Sequence, residues 1–505
     1  MLFKQQFTQI VSKKTTQMKI SAGHEKTAAA AAEVLKIGGN AVDAAIAAFF
    51  TSFIAEPCMS SAGGGAFANV FFEGKPRLYD FFCQTPRNKR PVSAVNFFPI
   101  TVDFGDTTEE FHVGHGSVAV PGSIAGAFRL HRDFGSIPMR ELVQPAMAFA
   151  KNGVELVPFQ YLDFKLLESI LRISPTSQPI YFHNNQLKQV GDMMYLPKAA
   201  DFLDFISREG EKAFYHGEIA QKIVETQQHQ GGYLTREDFE QYEVIVRKPL
   251  SFAYNNHQIL TNPLPSTGGS LLALMMMHLT TVTDNHRSTD YILNLHNMLE
   301  KVSDFGKLPT DLAKALKSTL QKHTSKHGST THFNVVDKHG NAVSLTSTNG
   351  EGSGYYMDNT DMMLNNMLGE AALVPEGFHN WQPNVRLSSM MTPTLVLDAA
   401  KQLKAVIGTG GAGRIPSMIM QFLHLLLDYQ LSPEAAVEAP RIHLSGNHFN
   451  IETDGFEGLP NASALSQELI LFSQKSLFFG GINAVVKSQG EFVAVADARR
   501  EGKAI

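Results

Sequence analysis

The stretch from Gly328 to Gly354, GSTTHFNVVDKHGNAVSLTSTNGEGSG, constrains this chain more than any other. Phe333, Val335 and Val336, then Val343 and Leu345, mark two runs rich in β-formers, and DKHG between them is turn chemistry. With Gly340 in the left-handed position of a three-residue loop, Asp337 pairs with Asn341. That register sets Thr330 opposite Thr348, with Cβ atoms roughly 5 Å apart. Two hydroxyls then face each other at the open end of a hairpin. β-Branched residues suit strands, so spacing alone leaves the pair as ordinary sheet residues.

Around the hairpin stands a chain of 505 residues, 43% hydrophobic and 18% charged, enough for a large globular core. The net charge of −5, with no long basic run, speaks against a nucleic-acid partner. Two cysteines, Cys58 and Cys83, cannot make a disulfide framework, and free buried thiols are expected. The first residues, MLFKQQFTQIVSKKTTQMK, are basic and polar without the apolar core of a signal peptide, which sets the expectation of a cytoplasmic protein. No window reaches about 18 apolar residues, so no membrane partner is expected.

In chain order, an Ala-rich helix from His24 stops at Gly38–Gly39, and a second helix, capped by Asn40, is apolar all round. SSAGGGAFANVFFEGKPRLYDFF reads as glycine loop, strand, turn and strand. Residues 116–154 read as a strand and two helices, and 157–191 as loop-rich. Thr235 and Asp238 form a capping box. PLPSTGGSLLALMMMHL is a glycine loop opening a Met-rich core helix. Residues 284–328 read as a solvated polar linker. His323, His327 and His332 lie nearby, but their spacing fits no zinc pattern. MMLNNMLGE, SSMMTPTLVL and LKAVIG read as strands, SPEAAVEAPRIHL as a helix started by Ser432, and the chain closes on a hairpin. Gly408 to Gly413 matches G-x-G-x-x-G, yet a second helix follows where a dinucleotide fold needs a strand. What survives is a helix N-terminus whose amides stabilise negative charge.

TTHFNVVDKHGNAVSLTST resembles the segment that begins the small subunit of the γ-glutamyltransferase (γ-glutamyltranspeptidase) family. GGNAVDAAIAA, GGGAF, GSVAVPGSIAGAF, GGYLTREDFEQY, PLPSTGG, LSSMMTPTLVL and DARREG follow in the family's order. The resemblance implies an N-terminal-nucleophile hydrolase, a four-layer αββα sandwich with two antiparallel sheets. It implies self-cleavage between Ser329 and Thr330. Residues 1–329 and 330–505 then form a large and a small segment of one structural domain, partners from one precursor. Thr330 becomes the nucleophile and Thr348 its hydroxyl partner. The oxyanion hole falls in the glycine loop at Gly410 and Gly411, or by position at Gly411 and Ala412, with Gly410 where Pro is usual. The substrate is a γ-glutamyl or related acyl amide, the acceptor water or an amine, and no metal or organic cofactor is required.

The resemblance also carries over a substrate site, with departures. Ser388 and Ser389 match the serines that bind the donor's α-carboxylate. Glu370 falls where relatives carry an Asp for the α-amino group, Met367 where they carry Gln or Glu, and Asn349 lies beside a family Asn whose own place holds Gly350. Phe82 stands where the family's carboxylate-binding Arg belongs, and Arg87 lies five residues on. A bidentate carboxylate partner is not replaced by a side chain of another type. Two alternatives follow: an acylase on a non-glutamyl amide, as in the family's cephalosporin acylases, and a binding protein without catalysis.

Overall fold

The computed structural model describes residues 18–103, 108–303 and 329–505. Two antiparallel sheets lie at its centre. The first has seven strands in the order Ile245–Arg247, Lys75–Phe81, Gly65–Phe72, Ala342–Thr348, Thr330–Val336, Lys19–Ala22 and Lys503–Ala504. The second has six: Leu250–Tyr254, His257–Thr261, Thr394–Leu397, Leu403–Gly408, Asn483–Ser488 and Glu491–Ala496. The hairpin occupies the interior of the first sheet, where every residue of both its strands is buried.

Alternation along the hairpin sorts its side chains into two layers. Phe333, Val335, Val343 and Leu345 join the core under the helices. The wholly buried helix Ala41–Ala55 covers that face, its Phe49 ring 5.9 Å from Phe81 and 6.5 Å from Phe333. On the other face, Val336 and Ala342 meet Leu260, Leu395, Leu403, Val406 and Val485 of the second sheet. Polar bonds cross the same gap, from Asn334 Nδ2 to Asn483 O (2.8 Å) and from Ser344 Oγ to Ile407 O (3.1 Å). Helices Gly268–His278 and Ile415–Leu427 cover the outer face of the second sheet through Leu272, Ile419 and Phe422. Helix, sheet, sheet and helix are the four expected layers. Cys58 and Cys83 are free and buried.

Several elements differ from the sequence reading. The span 157–191 holds the helices Pro158–Leu166, Glu168–Leu171 and Gln178–Tyr181, short pieces whose periodicity is too brief to register. Thr289–Ser303 is a helix, not linker, with Tyr291, Ile292, Leu295, Met298, Leu299 and Val302 on its buried face. Residues 304–328, with His323 and His327, lie outside the described residues. The stretch 116–120 forms a 3-10 turn and an isolated bridge instead of a strand, and 362–370 a 3-10 turn, Met367–Gly369, with isolated bridges. After the helix Pro433–Glu438, Pro440 precedes a strand, Ile442–Ser445.

Asp337 ties the hairpin turn to the helical layer. Its Oδ1 accepts from the amides of His339 (2.8 Å) and Asn341 (3.0 Å). Its Oδ2 accepts from Asn341 Nδ2 (2.9 Å) and from Ala41 N (3.1 Å), at the start of the helix Ala41–Ala55. Asp337→Ala leaves four donors short of one buried acceptor group and should lower the unfolding free energy by about 2–3 kcal/mol. Urea unfolding measures it; a loss under about 0.5 kcal/mol, the scale of a surface change, would contradict this role.

Candidate active site

Thr330 pairs with Thr348 across the hairpin, and Gly340 is left-handed with φ 81° in its turn. Thr348 Oγ1 donates to the carbonyl of Ser329 at 2.7 Å and accepts from Gly350 N at 3.0 Å. The hydroxyl of Ser329 donates to Glu351 Oε2 at 2.6 Å. The residue before Thr330 is therefore held at its carbonyl and at its side chain. Two residues along the same strand face, burial lowers the His332 pKa to about 3, so its ring is a neutral bridge. One nitrogen lies 2.8 Å from Thr346 Oγ1, the other 3.0 Å from Asn334 Oδ1.

The glycine loop arrives from the second sheet. A Cβ at Gly408 would lie 2.2 Å from the His332 ring, and one at Gly410 2.1 Å from the Thr330 carbonyl oxygen. Only glycine lets this loop approach the hairpin so closely. Thr409 Oγ1 donates to Gly410 O (2.7 Å) and accepts from Gly481 N (2.9 Å), fixing the loop. Gly411 has φ 123°, and Ala412, a residue with a side chain, sits in the left-handed region at φ 48°. A 3-10 turn, Ala412–Arg414, then opens the helix Ile415–Leu427. The G-x-G-x-x-G run thus ends an antiparallel strand.

A cleft opens at the hairpin's head. Ser329, Thr330, Thr348, Glu370, Ser389 and Ala412 line it, as do Phe82 and Met367. Gly410, Gly411, Asn349 and Ser388 do not line it. Gly410 backs the Thr330 carbonyl, and the loop residue on the cleft is Ala412. Asn349 is buried with Nδ2 bonded to Met363 O (3.3 Å), since alternation after Thr348 turns it away from the cleft, and the left-handed Gly350 (φ 61°) then breaks that alternation and brings Glu351 to the cleft. Ser388 turns toward Thr267 Oγ1 (3.4 Å), while the Ser389 carbonyl accepts from Ser266 Oγ (2.7 Å), so PLPSTGG and LSSMMTP meet at one wall. A Cβ at Gly350 would lie 2.3 Å from Glu370 Oε1. The longer acid fills the space that Gly350 leaves.

The charge balance of the cleft is one-sided. Glu110, Glu351 and Glu370 line it, and among the described residues no Lys or Arg does. Phe82 packs against Phe67, ring centroids 5.5 Å apart. Arg386 meets the Phe82 carbonyl from behind, not the cleft: its Nε is 3.3 Å from Asp80 Oδ1, its Nη2 donates to Glu243 O (2.6 Å), and it stacks on Tyr242 (4.7 Å). Arg87 does not line the cleft either. Glu110, Phe111 and Glu351 escaped the sequence reading; the alternation in TEEFHV was the available signal for the first two.

Behind the hairpin, Glu56 accepts from Thr331 Oγ1 (2.5 Å) and Thr27 Oγ1 (2.7 Å). Burial raises its pKa from 4.5 to about 7, against the lowering effect of the two hydroxyl bonds. The folded state then binds a proton more tightly than the unfolded chain, so this group's contribution to stability is complete below the unfolded pKa of 4.5 and is lost as pH rises through about 7. Glu56→Gln lacks that loss. Its unfolding free energy should gain on wild type by roughly 3 kcal/mol between pH 4 and 8. Parallel stability curves for the two proteins would contradict the buried, raised carboxyl.

Comparison with known proteins follows the same lines. The family model described as gamma-glutamyltranspeptidase matches residues 27–305 and 302–505. The glutathione hydrolase proenzyme of Pseudomonas aeruginosa is 30% identical over 472 residues, covering 84% of this chain and 82% of that protein. The capsule biosynthesis protein CapD proenzyme of Bacillus anthracis is 27% identical over 509 residues, covering 96% and 89%. The crystal structure of cephalosporin acylase from Bacillus halodurans superposes with a TM-score of 0.80 at 22% identity, covering 97% of this chain and 96% of that one. This likeness shows a shared fold, and the αββα layering is that of the N-terminal-nucleophile hydrolases. The chain belongs to the γ-glutamyltranspeptidase family.

Proposed function

We propose that this chain is a self-processing amidohydrolase and acyltransferase of the γ-glutamyltransferase type, with Thr330 as nucleophile. The observation that carries the proposal is the Thr348 hydroxyl on the carbonyl of Ser329, one bond from Thr330. The proenzyme names of the relatives support a precursor cut into two segments, here 1–329 and 330–505.

Within an intact chain, Thr330 has an amide nitrogen, which is no base. In the first reaction its Oγ attacks the Ser329 carbonyl carbon. The C–N bond breaks, the nitrogen takes the hydroxyl proton, and an ester joins Ser329 to Thr330 Oγ. Water hydrolyses the ester, leaving a carboxylate on Ser329 and a free amine on Thr330. That amine, with an ordinary pKa of about 7.7–8.0, is partly neutral near pH 7 and sits beside the hydroxyl it must deprotonate. In turnover Thr330 Oγ attacks a side-chain amide, the amine of the donor leaves with a proton, and the acyl group rests on Thr330. Water or a second amine accepts it. Backbone amides of the loop 410–412 would hold the oxyanion, each contributing roughly 3–4 kcal/mol. Thr330→Ala should remain a single full-length chain on a denaturing gel and lose turnover; cleavage in that variant would sink the assignment.

The donor is a finer question. An apolar Phe82 and three lining carboxylates favour amides without a free α-carboxylate, the acylase-like reading within this family. A charged hydrogen bond to a carboxylate contributes about 1.5–3 kcal/mol, so its absence should depress kcat/KM for glutathione by roughly 10- to 150-fold against a matched donor lacking that carboxylate. Phe82→Arg should narrow the gap. Efficient wild-type turnover of glutathione, with no gain from the Arg, would contradict this reading.

A further inference from the structure

Resting on the proposed nucleophile, we infer that Glu351 is a positioning residue with two successive partners: the Ser329 hydroxyl before cleavage and the α-amino group of Thr330 after it. Glu351 is buried, lines the cleft beside Ser329, Thr330 and Thr348, and accepts from Ser329 Oγ at 2.6 Å. Its backbone is fixed by the bond from its own amide to Asn366 Oδ1 at 2.8 Å and by the left-handed glycines on either side, Gly350 (φ 61°) and Gly352 (φ 85°).

Before cleavage, Ser329 is held at two points. Thr348 polarises its carbonyl, and Glu351 fixes its side chain, so the carbonyl face offered to Thr330 Oγ is set. Cleavage puts a free amine where the 329–330 amide nitrogen stood, and releases Ser329 as a chain end whose carboxylate repels Glu351. The carboxylate of Glu351, already bonded to the residue before Thr330, then lines the cleft beside the new ammonium. No covalent step is added: Glu351 moves no proton and holds the group that does.

The consequence is a pH dependence. A carboxylate beside the amine favours the ammonium, which raises the pKa of the amine that must be neutral to act as base. Other charged groups face the same place. Arg500, behind Gly410, feels the charge of Glu351 and of Asp163, and so works against the rise. Buried Cys58 also feels both acids and stays a neutral thiol. Glu110 and Glu370 line the same cleft, Glu370 Oε1 reaching the space beside Gly350, and Glu56 lies behind the strand on Thr331.

The first test is Ser329→Ala, followed by intact mass during maturation. Loss of the Glu351 anchor should slow cleavage roughly tenfold, the effect of one ordinary hydrogen bond; an unaltered rate overturns the first contact. The second is the acid limb of the kcat/KM–pH profile, which reports the free enzyme's base. For the mature wild type it should lie above about 8.0, the top of the ordinary amine range. Glu351→Gln should move it down by about one unit, and Glu351→Asp, which keeps the charge, should leave it with the wild type. A Glu351→Gln limb that coincides with wild type overturns the second contact. Should that variant stay a single chain, the wild-type limb decides alone: above about 8.0 supports the contact, and at or below it overturns it. A wild type that is neither cleaved at 329/330 nor active removes the proposed nucleophile itself, whereas a cleaved, active wild type with an unmoved limb removes only Glu351.

Discussion

The register between Thr330–Val336 and Ala342–Thr348 is the constraint on which the site depends. A slip of one residue would turn every side chain to the opposite face. Phe333 and Val335 would leave the helical core for the gap between the sheets, and His332 and Asn334 would enter the helical core without partners. Leaving such groups buried and unpaired costs about 1–3 kcal/mol each, before the lost apolar burial is counted. Apolar packing remote from the cleft thus fixes which two hydroxyls meet at the head of the hairpin. The turn at Asp337 and the flanking strands Lys19–Ala22 and Gly65–Phe72 hold the same register from both sides.

The second sheet completes the site by close approach. Gly408 and Gly410 admit His332 and the Thr330 carbonyl at distances a side chain would forbid. The cleft between loop and hairpin is apolar along Phe82, Met367, Met390 and Ile415, and acidic at Glu110, Glu351 and Glu370. The buried guanidinium of Arg386 is bound up with Asp80, Tyr242 and two backbone carbonyls behind that wall. This balance distinguishes the chain from a site built around a carboxylate-binding arginine.

What the sequence made legible was local and periodic. The hairpin register followed from one turn and strict alternation. Asn40, Thr235 and Ser432 announced helix starts through side chains that the structure places at those caps. Side-chain direction beyond the last strand residue was not legible. Nothing in the letters NGEG says that Gly350 turns left-handed and brings Glu351 to the cleft. Nor does adjacency tell Ser388, turned toward Thr267, from Ser389, which lines the cleft. The exchange of space between Gly350 and Glu370 is a long-range fit, visible only once the 3-10 turn Met367–Gly369 is folded against the hairpin.

The central claim is that Thr330 becomes an N-terminus and then carries the acyl group. Peptide mass spectrometry of purified wild-type protein, quenched during turnover of an amide donor, tests it most directly. The account predicts a peptide that begins at Thr330 and carries the donor's acyl group on that residue. A peptide running unbroken through Ser329 and Thr330, recovered from fully active protein, would contradict it.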